Sequence, residues 1–218
     1  MKQGSLELVM ILDRSGSMAN LVSDTVGGFN AMIERQRQLP GEVYVSTVLF
    51  NTHSTVLHDR VTINEIEPLT ENDYQPAGCT ALIDALGDAI RHIGLVHKYA
   101  RPEDVPEKTL FVIMTDGLEN ASHRYDADEV RAKIKRQQAR YGWEFLFLGA
   151  NIDAIETARR YGISEDRAVN FHADREGVRT SMRSVAKAAV LMRTQETLDA
   201  GWKAETEQDY RRRTGKES

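Results

Sequence analysis

Five side chains that end in oxygen lie beside predicted strand ends and a predicted helix start. Asp13, Ser15 and Ser17 follow the first buried strand at alternate positions, so in an extended loop all three point the same way. Thr80 begins a predicted helix, and Asp116 ends the most apolar strand. Hydroxyls and carboxylates, without sulfur or imidazole, suit a hard cation such as Mg²⁺ rather than zinc or copper. The pattern therefore predicts a metal site with a coordination position that attracts an anionic oxygen from another molecule.

Apolar strands that alternate with amphipathic helices must position these side chains. The pattern predicts strands at residues 6–12, 43–50, 55–63, 109–114, 143–148 and 168–172, and helices at 20–39, 80–97, 126–141, 153–161 and 174–193. This alternation predicts an α/β fold, a doubly wound and mainly parallel sheet with helices on both faces. The short polar link at 51–54 predicts a hairpin, which adds one antiparallel edge strand. In the strand order 3-2-1-4-5-6, Asp13 and Asp116 would face each other across the crevice at the switch point.

The composition restricts the class of protein. The chain has 218 residues, a formal net charge of −5 and 41% hydrophobic residues, which excludes a disordered chain. Without a basic excess, nucleic-acid binding is not expected. A single cysteine excludes a disulfide framework, and no apolar run reaches the ~18 residues that a membrane span needs. We therefore expect a cytoplasmic protein that binds neither nucleic acid nor membrane.

The domain organisation is predicted to be simple. No repeat and no linker rich in Gly, Ser or Pro divides the chain, so the sequence predicts one domain over residues 1–195. Residues 196–218 contain few apolar side chains and a run of consecutive arginines. They are predicted to form a polar tail or a frayed helix.

Three motifs resemble the metal-ion-dependent adhesion site of von Willebrand factor A domains: Asp13-Arg14-Ser15-Gly16-Ser17-Met18, Thr80 and Thr115-Asp116-Gly117. The resemblance covers most of residues 5–195 in the family's motif order. It implies a bound Mg²⁺ or Mn²⁺ with Ser15, Ser17 and Thr80 as direct ligands. Asp13 and Asp116 would hold metal-bound water or complete the coordination shell.

The resemblance also implies a function. A Glu or Asp of a partner protein typically supplies the sixth ligand, and the chain is similar to stand-alone bacterial and archaeal members whose partners are intracellular proteins. We therefore expect a non-enzymatic, Mg²⁺-dependent protein-binding module. Its predicted rim contacts are Met18, Asn20, Asn51, Glu119, Asn120 and His123. The sequence departs from the family at Gly78-Cys79-Thr80, where Gly-Gly-Thr is frequent, and the Cys79 side chain should narrow the loop's backbone options.

Three alternatives are weighed against this prediction. A Mg²⁺-dependent phosphohydrolase would use Asp13 as nucleophile, but Ser15 stands where such enzymes usually have a second Asp, and no lysine follows the later strands. In a second alternative the metal site is only structural. In the third, these oxygens merely cap turns and helices, with Thr80 as a helix N-cap.

Overall fold

A six-stranded sheet forms the centre of the molecule. The computed structural model describes residues 2–194 and 197–215, with only the backbone at 2 and 3. The strands are β1 (Lys2–Asp13), β2 (Val43–Phe50), β3 (Ser54–Thr62), β4 (Pro106–Thr115), β5 (Glu144–Ala150) and β6 (Ala168–Phe171). Their order is β3-β2-β1-β4-β5-β6, and every neighbouring pair is parallel except β2 and β3. The predicted strand order and the antiparallel edge strand are confirmed.

Helices cover both faces of this sheet. One face packs against α1 (Val22–Arg37) and α5 (Arg175–Thr194), and the other against α2 (Leu82–Tyr99), α3 (Ala127–Tyr141) and α4 (Ala154–Arg160). Along β1, Leu8 and Met10 point to the first face, whereas Val9 and Ile11 point to the second. Because both faces are buried, β1 is a continuous apolar run in the sequence. Among the helices described, none is long and apolar enough to cross a membrane.

The start of α1 differs from the prediction. A 3-10 turn, Gly16–Leu21, follows β1, and α1 itself begins at Val22 rather than near residue 20. The amide of Met18 donates to the carbonyl of Ser15 at 3.1 Å, which closes a turn in the loop after β1. The Met18 side chain is thereby buried in the core, so the prediction that it contacts a partner at the rim is wrong.

The C-terminal segment is packed against the domain. A 3-10 turn, Ala200–Lys203, leads into α6 (Ala204–Thr214), which contacts α5 and β6. Trp202 is 0% exposed, and its indole N–H donates to the carbonyl of Asp166 at 2.9 Å. The prediction of a tail or frayed helix is wrong for this part of 196–218, because the apolar group that anchors it lies in the turn before a polar helix. Residues 196 and 216–218 lie outside the described residues, and the domain boundary at 195 stays a prediction.

Candidate metal centre

The ends of two neighbouring strands bring the predicted ligands together. Leu12 of β1 is opposite Met114 of β4, so the residues that follow them emerge at one edge of the sheet. The Ser17 hydroxyl donates to Asp116 Oδ1 at 2.5 Å. The hydroxyl oxygens of Ser15 and Ser17 are 3.1 Å apart. Ser15, Ser17 and Asp116 therefore meet at this edge. Asp13, whose carboxylate accepts from the Ser15 amide, is the fourth predicted side chain here.

Asp13 is held by hydrogen bonds to both of its oxygens. Its Oδ1 accepts from the Ser15 amide at 2.7 Å, and its Oδ2 accepts from the Thr115 hydroxyl at 2.5 Å. Thr115 in turn contacts Gly117, since its hydroxyl is 3.1 Å from the Gly117 carbonyl oxygen. The two strand ends are therefore tied to each other through the carboxylate of Asp13.

Thr80 completes the group from a third loop. The position that a Cβ would occupy on Gly117 is 3.6 Å from Thr80 Oγ1 and 3.9 Å from Ser17 Oγ. The two hydroxyls therefore lie close to the same point, beside Gly117. The Thr80 amide donates to Asn120 Oδ1 at 2.9 Å, and its carbonyl accepts from the Asn120 amide at 3.0 Å. The predicted helix start is wrong by two residues: α2 begins at Leu82 and its N-cap is Ala81, because the Thr80 backbone is bound to the loop after β4.

Cys79 fits this loop without backbone strain. The left-handed conformation falls on the preceding residue, Gly78, with φ of +73°. The Cys79 side chain is exposed, and its amide donates to Thr52 Oγ1 at 3.0 Å. The departure from Gly-Gly-Thr is therefore accommodated, because the position that requires glycine still has one.

Burial disfavours the charged form of both carboxyl groups in this site. Asp13 is 1% exposed and Asp116 is 4% exposed. Loss of solvation raises the pKa of both carboxyls above the ordinary value, and the charge of Asp116 adds to the effect at Asp13. Within the described residues, neither carboxylate forms an ion pair with a lysine or arginine. A divalent cation among these hydroxyls would supply a counter-charge that keeps both buried carboxyls ionised.

The donor set is entirely oxygen. In the part of the chain that the structure describes, no group of three or more His, Cys, Asp or Glu residues forms a metal site. The centre instead combines two carboxylates with the hydroxyls of Ser15, Ser17 and Thr80. Such a set fits Mg²⁺ or Mn²⁺ and lacks the nitrogen and sulfur ligands that zinc prefers.

A buried tyrosine holds the main chain of the site through a hydrogen bond. Tyr74 is 0% exposed, and its hydroxyl donates to the carbonyl oxygen of Asp13. Burial raises the pKa of this phenol, so it stays a neutral donor. The sequence does not predict this role of Tyr74, whose one signal is that it is the single aromatic residue in the mostly polar stretch 68–78.

The predicted rim contacts have different roles in the structure. Glu119 points inward, where its carboxylate accepts from the amides of Ile83 at 2.8 Å and Ser122 at 2.7 Å. Asn51 is half-buried, and its side chain accepts from the His53 amide. The side chains of Asn20, Asn120 and His123 are exposed, so their contact with a partner stays a prediction. Leu118, which the sequence does not single out, is 61% exposed two residues after Asp116.

Asp84 fixes the loop that follows β4. Its carboxylate accepts from the amides of His123, Arg124 and Tyr125 at 2.9–3.0 Å. Burial favours the protonated acid, but these amides and the Arg124 guanidinium outweigh it and lower the pKa of Asp84. The loop that carries Asp116 and Asn120 is therefore attached to the first turn of α2.

Replacing Asp84 with asparagine is expected to lower the free energy of unfolding by about 1–3 kcal/mol at neutral pH. Since folding lowers this pKa, the stabilisation is present above the unfolded-state pKa and is lost as the pH falls through the folded-state pKa. Urea unfolding of the wild type and the variant should show a difference that shrinks in acid. The exposed Glu71, changed to glutamine, is the control. A difference independent of pH would contradict this assignment.

Comparison with known proteins gives matches at the level of structure. No family model matches the chain, and no curated protein matches it. A von Willebrand factor type A structure from Catenulispora acidiphila matches with a TM-score of 0.55 at 13% identity, over 86% of this chain and 43% of that one. The SpRpn10 VWA domain matches with a TM-score of 0.53 at 13% identity, over 82% of this chain and 94% of that one. This chain has the von Willebrand factor A fold.

A third match is a structure with a metal bound at its own metal-ion-dependent adhesion site. Proximal thread matrix protein 1 from the mussel byssus, with a zinc-occupied metal-ion-dependent adhesion site, matches with a TM-score of 0.55 at 15% identity. The match covers 84% of this chain and 45% of that one. The chain thus spans less than half the length of the mussel and Catenulispora chains. At these identities the von Willebrand factor A fold is what the matches establish, and the metal centre is argued from the chain's own residues.

Proposed function

We propose that this von Willebrand factor A domain is a metal-dependent protein-binding module. Ser15, Ser17 and Thr80 would hold a Mg²⁺ ion by their hydroxyls, and Asp13 and Asp116 would hold metal-bound water or complete its shell. A Glu or Asp side chain of a partner protein would bind the metal. The bound ion supplies an electrophilic site for that carboxylate.

The observation that carries the proposal is the pair of buried, unpaired carboxylates among three hydroxyls. If the direct ligands are the uncharged hydroxyls and the carboxylates act through bound water, the divalent cation keeps much of its positive charge, which favours an external anionic ligand. The exposed Ser17 faces solvent, whereas Asp13 is buried beneath it. A partner would therefore approach from the loop side, beside Leu118.

The geometry gives less support to the phosphohydrolase. A nucleophilic aspartate must present one carboxylate oxygen to the phosphorus atom. In this structure Asp13 is 1% exposed, and both of its oxygens already accept hydrogen bonds. Turnover of phosphate esters with Mg²⁺ that is lost in Asp13→Asn would favour the enzyme instead.

The proposal is tested by affinity purification with the immobilised full chain, in Mg²⁺ and in EDTA. We expect a partner that is recovered in Mg²⁺ and lost both in EDTA and with Thr80→Ala. Changing the partner's contacting Glu to Gln, or Asp to Asn, should abolish recovery as well, because the neutral amide is a weak ligand for a hard cation. A partner recovered equally in EDTA, or insensitive to its own carboxylate, would contradict the proposal.

A further inference from the structure

A second concave surface lies at the end of the sheet opposite the metal centre. The C-terminal halves of α2 and α3 and the start of β4, at Pro106 and Thr109, enclose a cleft of about 760 Å³. This volume lies within the range of about 300–1,000 Å³ that small-molecule sites occupy. Asp116 follows the other end of β4, and the cleft shares no residue with the metal centre.

The floor of the cleft is apolar. Trp143 lies at its base, 4% exposed, and stacks on Phe111 with the ring centroids 5.2 Å apart. Leu95 on α2 and Tyr141 on α3 stand at the sides and are 40% and 53% exposed. The apolar part of a bound ligand would remove these two exposed side chains from water, which favours binding of an apolar group in the cleft.

The rim of the cleft is strongly basic. Five cationic side chains line it: Arg91, Lys98, Lys133, Arg136 and Arg140. Across the residues the structure describes, none of the five is in an ion pair with a carboxylate. This concentration of positive charge occurs on a chain whose formal net charge is −5.

One carboxylate stands among the lining residues. Glu107 lines the cleft, but its Oε2 accepts from the Gly4 amide at 2.6 Å. Glu107 is a single negative charge among five cationic side chains, so the positive potential of the rim is largely uncompensated within the cleft. An anionic group would experience the sum of several charges at a partly enclosed, low-dielectric surface.

Helix dipoles explain only part of this pattern. Lys98 and Arg140 stand in the last turns of α2 and α3, where a cation is favoured in any helix. Arg91, Lys133 and Arg136 lie more than a turn from those ends, where the dipole has little effect. Lys133, Arg136 and Arg140 are spaced three and four residues apart, so they occupy one face of α3.

We propose that this cleft binds a small organic anion, with a carboxylate, sulfonate or phosphate group at the basic rim and an aromatic or aliphatic body on the Trp143 floor. A cleft of about 760 Å³ accommodates a small molecule, whereas an acidic polypeptide would need an extended groove. Binding at this cleft is independent of the metal centre.

The probe for the test is 8-anilinonaphthalene-1-sulfonate, an aromatic anion whose fluorescence rises in an apolar site, with N-phenyl-1-naphthylamine as its neutral analogue. We expect saturable binding of one anionic probe per chain, unchanged by EDTA. The double variant Arg91→Glu/Arg136→Glu should weaken it by about tenfold or more, because two attractive charges become repulsive. The neutral analogue should respond little to this change.

A matched control lies on the other side of α3. Arg131 and Lys135 are exposed, and both pack near Gly162 rather than the cleft. The double variant Arg131→Glu/Lys135→Glu has the same change in net charge and should weaken the anionic probe by less than about twofold. Leu95→Asp provides a second variant, which should weaken both probes.

Three outcomes would overturn the proposal. Equal loss of probe binding in both double variants would mean diffuse electrostatic attraction, and absence of saturable binding would mean no site. Displacement of the bound probe by poly-glutamate, with poly-glutamate binding lost in Arg91→Glu/Arg136→Glu, would identify an acidic polypeptide as the ligand instead. Circular dichroism and urea unfolding of each variant exclude loss of structure as the cause.

Discussion

Alanine in place of Thr80 is expected to lower the affinity of the chain for Mg²⁺ by at least about 100-fold, because loss even of an indirect ligand contact costs 10–100-fold. In the described structure the Thr80 hydroxyl makes no hydrogen bond, and its proposed role is ligation alone. The main-chain bonds of this residue to Asn120 are retained in the variant. The fold should therefore remain intact in the absence of metal.

Isothermal titration calorimetry with Mg²⁺, and thermal unfolding with and without the ion, measure this effect. Mg²⁺ should raise the midpoint of unfolding in the wild type, because it binds the folded state, and should not do so in the variant. Thr109→Ala is the matched control: Thr109 is 3% exposed, similar to 4% for Thr80, and lies at the opposite end of the sheet. Equal Mg²⁺ affinity in wild type and Thr80→Ala would contradict the assignment of the ligands.

Trp202→Ala is expected to lower the free energy of unfolding by about 3–5 kcal/mol. The change removes a side chain that is 0% exposed and leaves the carbonyl of Asp166 without its indole donor. Lys203, whose ammonium donates to the carbonyls of Glu165 and Ala168 at 2.7 and 2.8 Å, would lose its packed neighbour as well. Removing the chain from residue 197 onward should have a similar or larger effect.

Urea unfolding of the full chain and the variant provides the measurement. Tyr99→Ala is the control, because Tyr99 is 75% exposed and its loss should cost less than about 0.5 kcal/mol. If Trp202→Ala were no more destabilising than this control, the C-terminal segment would not contribute to the core. In that case residues 1–195 would be a complete folding unit, as the sequence predicts.

The sheet could be predicted because its strands are buried on both faces. Short continuous apolar runs such as those around Val9 and Phe111 are typical of central strands that are buried on both faces. The short polar link at 51–54 favours a hairpin between the two strands that it joins. The packed C-terminal segment could not be predicted in this way. Helix α6 buries only Thr206 and Asp209, so its own sequence has no apolar stripe, and the anchor at Trp202 precedes it.

The candidate ligands could be predicted because each lies directly at a strand end or beside a helix start. Their support could not, since it depends on contacts between loops that are distant in sequence. Tyr74 and Asp13 are 61 residues apart, and Asp84 and Tyr125 are 41 apart. The prediction that Glu119 lies at the rim is wrong for the same reason. A charged loop residue is usually solvated, and the sequence does not show that the fold brings backbone amides within hydrogen-bonding distance of this carboxylate.

The packing of the C-terminal segment against β6 has a consequence for self-association. Tyr210 of α6 stacks on His172 with the ring centroids 4.7 Å apart, and the Lys203 ammonium binds the Ala168 carbonyl on the outermost strand. An incoming strand cannot hydrogen-bond to the Ala168 carbonyl, because the Lys203 ammonium already occupies it. Pairing of a second copy along β6 is therefore disfavoured, and so is growth of the sheet into a fibre in that direction.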